Sequence, residues 1–96
     1  MIKNATLRQL KVFEAVARNL NFTRAAEELH TTQPTVSIQL KQLADIVGLP
    51  LVEQVGKKIF LTDTGQLVYT ASRDVLDRWD KLVIEIDEAQ GLTRGS

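Results

Sequence analysis

The sequence predicts a mainly α domain in which three helices and a β-hairpin are followed by one long helix. Three observations predict it. Apolar residues recur at helical spacing in four segments, a Gly-containing turn separates two short apolar runs, and the last segment keeps the alternating spacing of a coiled-coil seam. With 96 residues, 44% of them hydrophobic, the chain is expected to form one domain with an appendage.

The first two predicted helices each begin at a polar capping residue. Thr6 is a candidate N-cap for a helix to Asn19, whose apolar face is formed by Leu7, Leu10, Phe13, Val16, Ala17 and Leu20. Asn21 can cap a second, short helix from Phe22 to His30. Its inner face would carry Ala25, Ala26 and Leu29, and the two small alanines would let another helix approach closely.

The third helix is predicted from Thr32 as N-cap to about Val47. Pro34 lies in its first turn, where the missing N–H costs nothing, and Gly48 and Pro50 end it. Its core stripe would be Val36, Leu40, Leu43 and Val47. Because only residues 30–33 separate the second and third helices, the pair has the helix-turn-helix signature.

Two short apolar runs follow, at residues 51–54 and 58–61, with Val55-Gly56-Lys57 between them. This pattern predicts a small β-hairpin. A hairpin directly after the third helix makes the predicted fold class a winged helix-turn-helix, three helices plus a β-hairpin wing.

The last helix is predicted from Asp63, capped by Thr62, to about Gln90, a length of about 40 Å. Apolar or small residues recur in it at alternating steps of four and three. A head of about 60 residues cannot cover such a stripe, so we expect a linker helix that dimerises with an antiparallel copy. The predicted interface residues are Val68, Ser72, Val75, Trp79, Leu82 and Ile86.

Composition limits the possible functions. The chain has no Cys and a single His, so a metal site at His30 is not expected, nor is a cofactor. No nucleophile–base–acid set and no Gly-rich phosphate loop is present, which argues against an enzyme. We expect a cytoplasmic protein that does not enter membranes, since neither a signal sequence nor an apolar run of about 20 residues is found.

Charge is divided unevenly along the chain. Residues 1–60 hold eight Lys and Arg against five Asp and Glu, a net +3, whereas residues 61–96 carry a net −3. A basic first part followed by an acidic second part fits a polyanion-binding head with a tail of another role, although a swing of this size also arises by chance.

The outward side of the third helix is predicted to bind DNA. Its amides and hydroxyls suit base edges in a major groove, and we expect base contacts from Gln33, Pro34, Thr35, Ser37 and Ile38. Gln33 can pair with adenine in a bidentate way, whereas Ile38 either meets a thymine methyl group or packs on a neighbouring element. Phosphate or wing contacts are expected from Thr23, Arg24, Lys41, Lys57 and Lys58.

Two alternatives compete with DNA binding. The outward side of the third helix could be a solvated face of a helical protein-interaction module that binds no DNA, because helix-turn-helix units also serve as protein contacts. A linear fall of log affinity for duplex DNA with log salt would argue against that module. A small enzyme is the second alternative, and nothing in the sequence favours it.

Specific motifs resemble those of LysR-type transcriptional regulators. The residues Phe22-Thr23-Arg24-Ala25-Ala26-Glu27-Glu28-Leu29-His30 and the following Gln33-Pro34-Thr35-Val36-Ser37 form the pattern A-A-x-x-L-x-x-x-Q-P-x-x-S. The resemblance continues through residues 47–51 and 61–65 and covers residues 6–90. The segment 6–17, together with Gly56-Lys57-Lys58-Ile59, is most similar to the branch that controls carbon-fixation operons.

This resemblance implies a division of the chain and a set of partners. Residues 1–62 would form the DNA-binding head, residues 63–90 the linker helix, and residues 91–96 a hinge toward an effector-binding domain absent from this chain. The implied partner is a dyad-symmetric operator bound by a dimer, with a tetramer in the full-length regulator and a small-molecule effector bound only by the absent domain. Ala44, Val52 and Gln54 depart from the residues common in the family, and Gln54 lacks the charge for a phosphate contact.

Overall fold

The computed structural model describes residues 4–94 of the chain, and it contains the predicted elements in the predicted order. The elements are α1 (Leu7–Asn19), α2 (Phe22–Glu28), α3 (Gln33–Val47), β1 (Val52–Val55), β2 (Lys58–Leu61) and α4 (Asp63–Arg94). The strands are antiparallel, with Val52 opposite Leu61 and Val55 opposite Lys58. The predicted fold class, a winged helix-turn-helix followed by a long helix, is therefore confirmed.

Side-chain caps define where the first three helices begin. Thr6 and Gln9 form a reciprocal capping box, in which each side chain accepts from the other residue's backbone N–H at 3.0–3.1 Å. The Asn21 side chain accepts from the Arg24 N–H at 2.8 Å, and Thr32 accepts from the Thr35 N–H at 3.4 Å. These three N-caps are those predicted from the sequence.

Four element ends differ from the prediction. α2 stops at Glu28, two residues early, because His30 takes a left-handed φ of 55° and the Thr31 N–H donates to the Ala26 carbonyl at 2.9 Å. β1 is displaced by one residue at both ends, since it begins at Val52 and ends at Val55. α4 continues through Gly91 to Arg94, since a glycine ends a helix reliably only in the left-handed conformation, which Gly91 does not adopt. The proposed hinge residues 95 and 96 lie outside the described residues.

The core lies around α1, which packs against α2, α3 and α4. One cluster joins α1 to α2, α3 and β2, and it contains Val12, Ala15, Val16, Ala25, Ala26, Val36 and Ile59. The other joins α1 to α3, the segment before β1 and α4, and it contains Phe13, Ala17, Leu40, Leu43, Leu51 and Val68. The predicted stripe of α3 is buried at Val36, Leu40 and Leu43 and half-buried at Val47.

The first turns of α4 belong to the core of the head. Val68 is 8% exposed and Ser72 is 1% exposed, and the Ser72 hydroxyl donates to the Val68 carbonyl at 2.7 Å. The expectation that these two residues contact a second chain is therefore wrong, because their own chain already covers them. None of the helices among residues 4–94 is both long enough and apolar enough to cross a membrane.

Candidate nucleic-acid interface

The turn between α2 and α3 sets the position of the candidate recognition helix. Ala25 and Ala26 of α2 and Val36 of α3 lie in one buried cluster, so the two helices pack closely through small side chains. The left-handed residue His30 lies in the turn between them. With its stripe of Val36, Leu40 and Leu43 held in the core, α3 turns its other side outward.

The outward side of α3 carries the five predicted base-contact residues. Gln33, Pro34 and Ile38 are exposed, and Thr35 and Ser37 are half-buried. Ile38 is 57% exposed, so it does not pack into the protein's own core, and this disfavours the second interpretation of that residue. An isoleucine left open beside amides and hydroxyls at a helix N-terminus suits a thymine methyl group.

Polar side chains on this surface bond to one another along the helix. The Gln33 Nε2 donates to the Ser37 hydroxyl at 2.8 Å, and the hydroxyls of Thr32 and Thr35 lie 2.9 Å apart. Residues three and four apart face the same side of a helix, so these pairs form without help from other elements. The first turns of α3 therefore present an ordered set of donors and acceptors.

Cationic and hydroxyl side chains surround this surface on α2, on α3 itself and on the wing. Thr23 and Arg24 are exposed at the start of α2, Lys41 is exposed on α3, and Lys57 and Lys58 are exposed at the turn of the wing. None of these four cations forms an ion pair with another residue in the described range. Their charges are therefore available for phosphates.

Gln54 in β1 has a local partner instead. Its Nε2 donates to the Gly56 carbonyl at 3.4 Å across the turn of the wing. Together with the absence of charge, this contact gives Gln54 a role in the hairpin rather than at a phosphate.

An ion-pair cluster joins α1 to α2, and the sequence analysis does not predict it. Arg18 donates to Glu14 at 2.7 Å and to the Glu28 Oε1 at 2.9 Å, and it makes a second, shorter contact with Glu28. The Asn19 side chain also donates to Glu28, at 3.2 Å. These hydrogen bonds lower the pKa of Glu28 to about 2, and the two carboxylates raise the pKa of Arg18. The i,i+4 spacing of Glu14 and Arg18 could have indicated one half of the cluster.

The part of α4 beyond the head exposes the rest of the predicted seam. Val75, Trp79, Leu82 and Ile86 are each between 37% and 47% exposed. Val75, Trp79 and Leu82 line a shallow apolar groove together with Asp74 and Arg78. Val83 and Ile84 are exposed as well and were not predicted. Arg78 pairs with Glu85 at 3.0 Å beside the groove.

Taken together, a helix-turn-helix with an outward polar N-terminus on its second helix, a cation-bearing wing and a long apolar-striped helix define a winged helix-turn-helix DNA-binding domain. Comparison with known proteins identifies the family. Residues 7–66 match the family model described as "Bacterial regulatory helix-turn-helix protein, lysR family", and the chain belongs to that family. The resemblance noted from the sequence motifs is thereby confirmed.

Relatives extend this likeness beyond the head. The chain is 55% identical over 95 residues to the RuBisCO operon transcriptional regulator of Acidithiobacillus ferrooxidans and 53% identical over 95 residues to the HTH-type transcriptional activator CmpR of Synechocystis sp.. Each alignment covers 99% of this chain and 31% of the relative, so the chain spans about a third of the length of these curated relatives.

The fold is also similar to that of a solved structure. The crystal structure of the BenM_DBD/catB site 1 DNA complex superimposes with a TM-score of 0.84 at 29% identity, covering 88% of this chain and 96% of that one. The likeness therefore includes most of α4 as well as the head.

Proposed function

We propose that this chain binds a dyad-symmetric operator as a dimer, with the first turns of α3 of each copy in a major groove. The observation that carries this proposal is the outward surface of α3, where exposed Gln33, Pro34 and Ile38 lie on the side away from the core stripe of the same helix. A DNA complex of a similar domain, that of BenM, supports the choice of ligand.

Base and phosphate contacts would fall to different residues. Gln33 offers a donor and an acceptor for an adenine, and Pro34, Thr35 and Ile38 present apolar surface for thymine methyl groups, with Ser37 beside them. Arg24, Lys41 and the hydroxyl of Thr23 would contact phosphates on either side of α3, and Lys57 and Lys58 would contact the backbone or minor groove next to the wing. Phosphate contacts fix the position of the domain, whereas the contacts of α3 distinguish sequences.

Dimerisation would depend on the apolar seam of α4 beyond the head. Val75, Trp79, Leu82 and Ile86 lie four, three and four residues apart, and each keeps more than a third of its surface exposed in the single chain. Two antiparallel copies would bury this seam. The two-fold axis between them would place the two α3 helices on successive faces of the duplex.

The relatives suggest a regulatory setting. We assign residues 1–62 together with the first turns of α4 to the head, and the rest of α4 to a linker helix, within a cytoplasmic, non-catalytic regulator that carries an effector-binding domain and can form tetramers. The relative from Acidithiobacillus ferrooxidans is named for a RuBisCO operon, which supports a carbon-fixation operon as the target of this chain too.

Selection of bound sites from random duplexes tests the proposal. The 96-residue chain should enrich a dyad-symmetric site whose half-sites lie about one helical turn, or a multiple of it, apart. Binding should weaken linearly in log affinity against log salt. Failure to enrich any sequence would overturn specific binding, and enrichment of a single half-site without symmetry would overturn the dimer.

A further inference from the structure

We propose that Ser37 is a positioning residue that fixes the side-chain amide of Gln33 for base recognition. This inference rests on the proposed function, in which Gln33 contacts a base. It starts from the hydrogen bond in which the Gln33 Nε2 donates to the Ser37 hydroxyl at 2.8 Å in the DNA-free chain. Ser37 thereby holds one end of the amide close to its own hydroxyl before DNA arrives.

Ser37 is suited to this role because its short side chain has less freedom to move than that of Gln33. It is half-buried, and it lines a cleft between α2, α3 and β1 together with Phe22, Leu40 and Leu51. Gln33, one turn earlier, is exposed and has three rotatable side-chain bonds. The anchored residue is therefore Ser37, and the residue that gains order is Gln33.

The geometry of the bond leaves the groups that adenine requires. One hydrogen of the Gln33 Nε2 is used by Ser37, so the second hydrogen and the Oε1 stay free. These are a donor and an acceptor, which match the N7 and N6 of adenine. If the Gln33 amide were rotated by 180°, its donor would lie where its acceptor is needed. The amide would then no longer match the N7 and N6 of adenine.

Order of the Gln33 side chain in the DNA-free protein also favours affinity for DNA. Holding a flexible side chain on binding costs entropy, and a side chain that is already held has less to lose. The bond to Ser37 fixes the position of the Gln33 Nε2 before DNA binds.

Binding titrations on the selected operator test the proposal, with each base in turn at the pair read by Gln33. Ser37→Ala should reduce the preference for adenine over the other bases by about 3- to 10-fold, the effect expected when one flexible side chain loses its order. Ser37→Thr keeps a hydroxyl and should restore the preference. In a Gln33→Ala background, Ser37→Ala should cause no further loss of preference. Thermal unfolding confirms that each variant folds.

The possible failures are distinguishable. If Ser37→Ala weakens binding to all four sequences equally and adds fully to Gln33→Ala, Ser37 contacts the DNA by itself and the positioning role is wrong. If Gln33→Ala alone leaves base preference unchanged, the base contact of the proposed function is wrong, and the role of Ser37 falls with it. If Ser37→Thr behaves like Ser37→Ala, the hydroxyl is not the group that matters, and the proposal is overturned.

Discussion

Gln33 is the residue whose side chain should matter most for sequence preference. Gln33→Ala removes a bidentate partner of one base pair, so it should cost about 1–3 kcal/mol at that pair and relax specificity there. Competition titrations with single-base operator variants measure this. Lys41→Ala is the matched control on the same helix, and it should weaken binding to all sequences alike because a phosphate contact carries no sequence information. Equal behaviour of the two variants would contradict the assigned roles.

Gly65 occupies a place where no side chain fits. A Cβ atom at this position would overlap the backbone carbonyl of Leu51, where α4 crosses the segment that leads into the wing. Gly65→Ala should therefore destabilise the fold by about 1–3 kcal/mol, as overpacking of a core does. Urea unfolding measures the change.

Gly91 provides the control for this prediction in the same helix. Nothing lies within 4 Å of a Cβ atom built there. Gly91→Ala should therefore be neutral or stabilise the chain by up to about 1 kcal/mol, since alanine favours a helix over glycine. Loss of stability in both variants would show that the close approach to Leu51 is not the cause.

At the scale of residues, exposure on α3 could be predicted from the sequence, because helical periodicity separates its core stripe from its outward side. The pairing of Gln33 with Ser37 could not, since spacing alone does not tell which polar side chains bond to each other. The contact of Arg18 with Glu28 depends on how α1 packs against α2, which the sequence does not show.

At the scale of elements, the ion-pair cluster between α1 and α2 should make stability depend on pH. Because Arg18 lowers the pKa of Glu28 to about 2 from an ordinary 4.5, the stabilisation is complete above pH 4.5 and is lost as pH falls toward 2. Both side chains are at least 40% exposed, so the gain is limited to about 0–1 kcal/mol.

Substitution of each of two neighbouring glutamates distinguishes the loss of this ion pair from a general change in net charge. Glu28→Gln should lower the free energy of unfolding near pH 7, and its difference from the wild type should shrink as the pH falls below 4.5. Glu27→Gln should show no such change, because Glu27 is exposed and forms no ion pair with a described residue. Denaturant titrations at several pH values measure both. A constant difference across the pH range would contradict the role of the Glu28 carboxylate.

The distal part of α4 should be the element that holds the dimer. Trp79→Ala removes a large aromatic from each copy of the proposed seam, a change that typically costs several kcal/mol when the ring is buried. Sedimentation should shift from dimer toward monomer at micromolar concentration. Ile84→Ala is the control, since Ile84 is 56% exposed on the side of α4 opposite Val75. A wild-type chain that sediments as a monomer at high concentration would contradict the interface.

The elements themselves could be predicted because caps, periodicity and turn residues mark them. Periodicity did not reveal where the head ends, since the repeat from Val68 to Ile86 is continuous although the head covers only its first part. A stripe of apolar residues along a helix indicates that this side of the helix is buried. It does not distinguish burial within one chain from burial between chains. This is why the spacing alone predicts Val68 and Ser72 at a contact between chains, although their own chain covers them.

At the scale of the whole molecule, the structure is an elongated body of 59 × 28 × 17 Å with the head at one end of α4. The first turns of α4 contribute Val68 and Ser72 to the core, so a truncated head must keep α4 at least through Leu76, which is half-buried, to fold. In the proposed dimer, the exposed seam of α4 beyond the head would join two heads. Specific binding to a dyad would then follow from the coupling of two weak half-site contacts.

One measurement tests this account most directly. The affinity of the chain for its selected operator is compared, at one fixed salt concentration, with its affinity for the same operator carrying five extra base pairs between the half-sites. Half a helical turn places the second half-site on the opposite side of the duplex, so a dimer held by α4 should lose its second contact and bind at least about tenfold more weakly. Equal affinity for the two spacings would contradict a dimer with two fixed recognition helices.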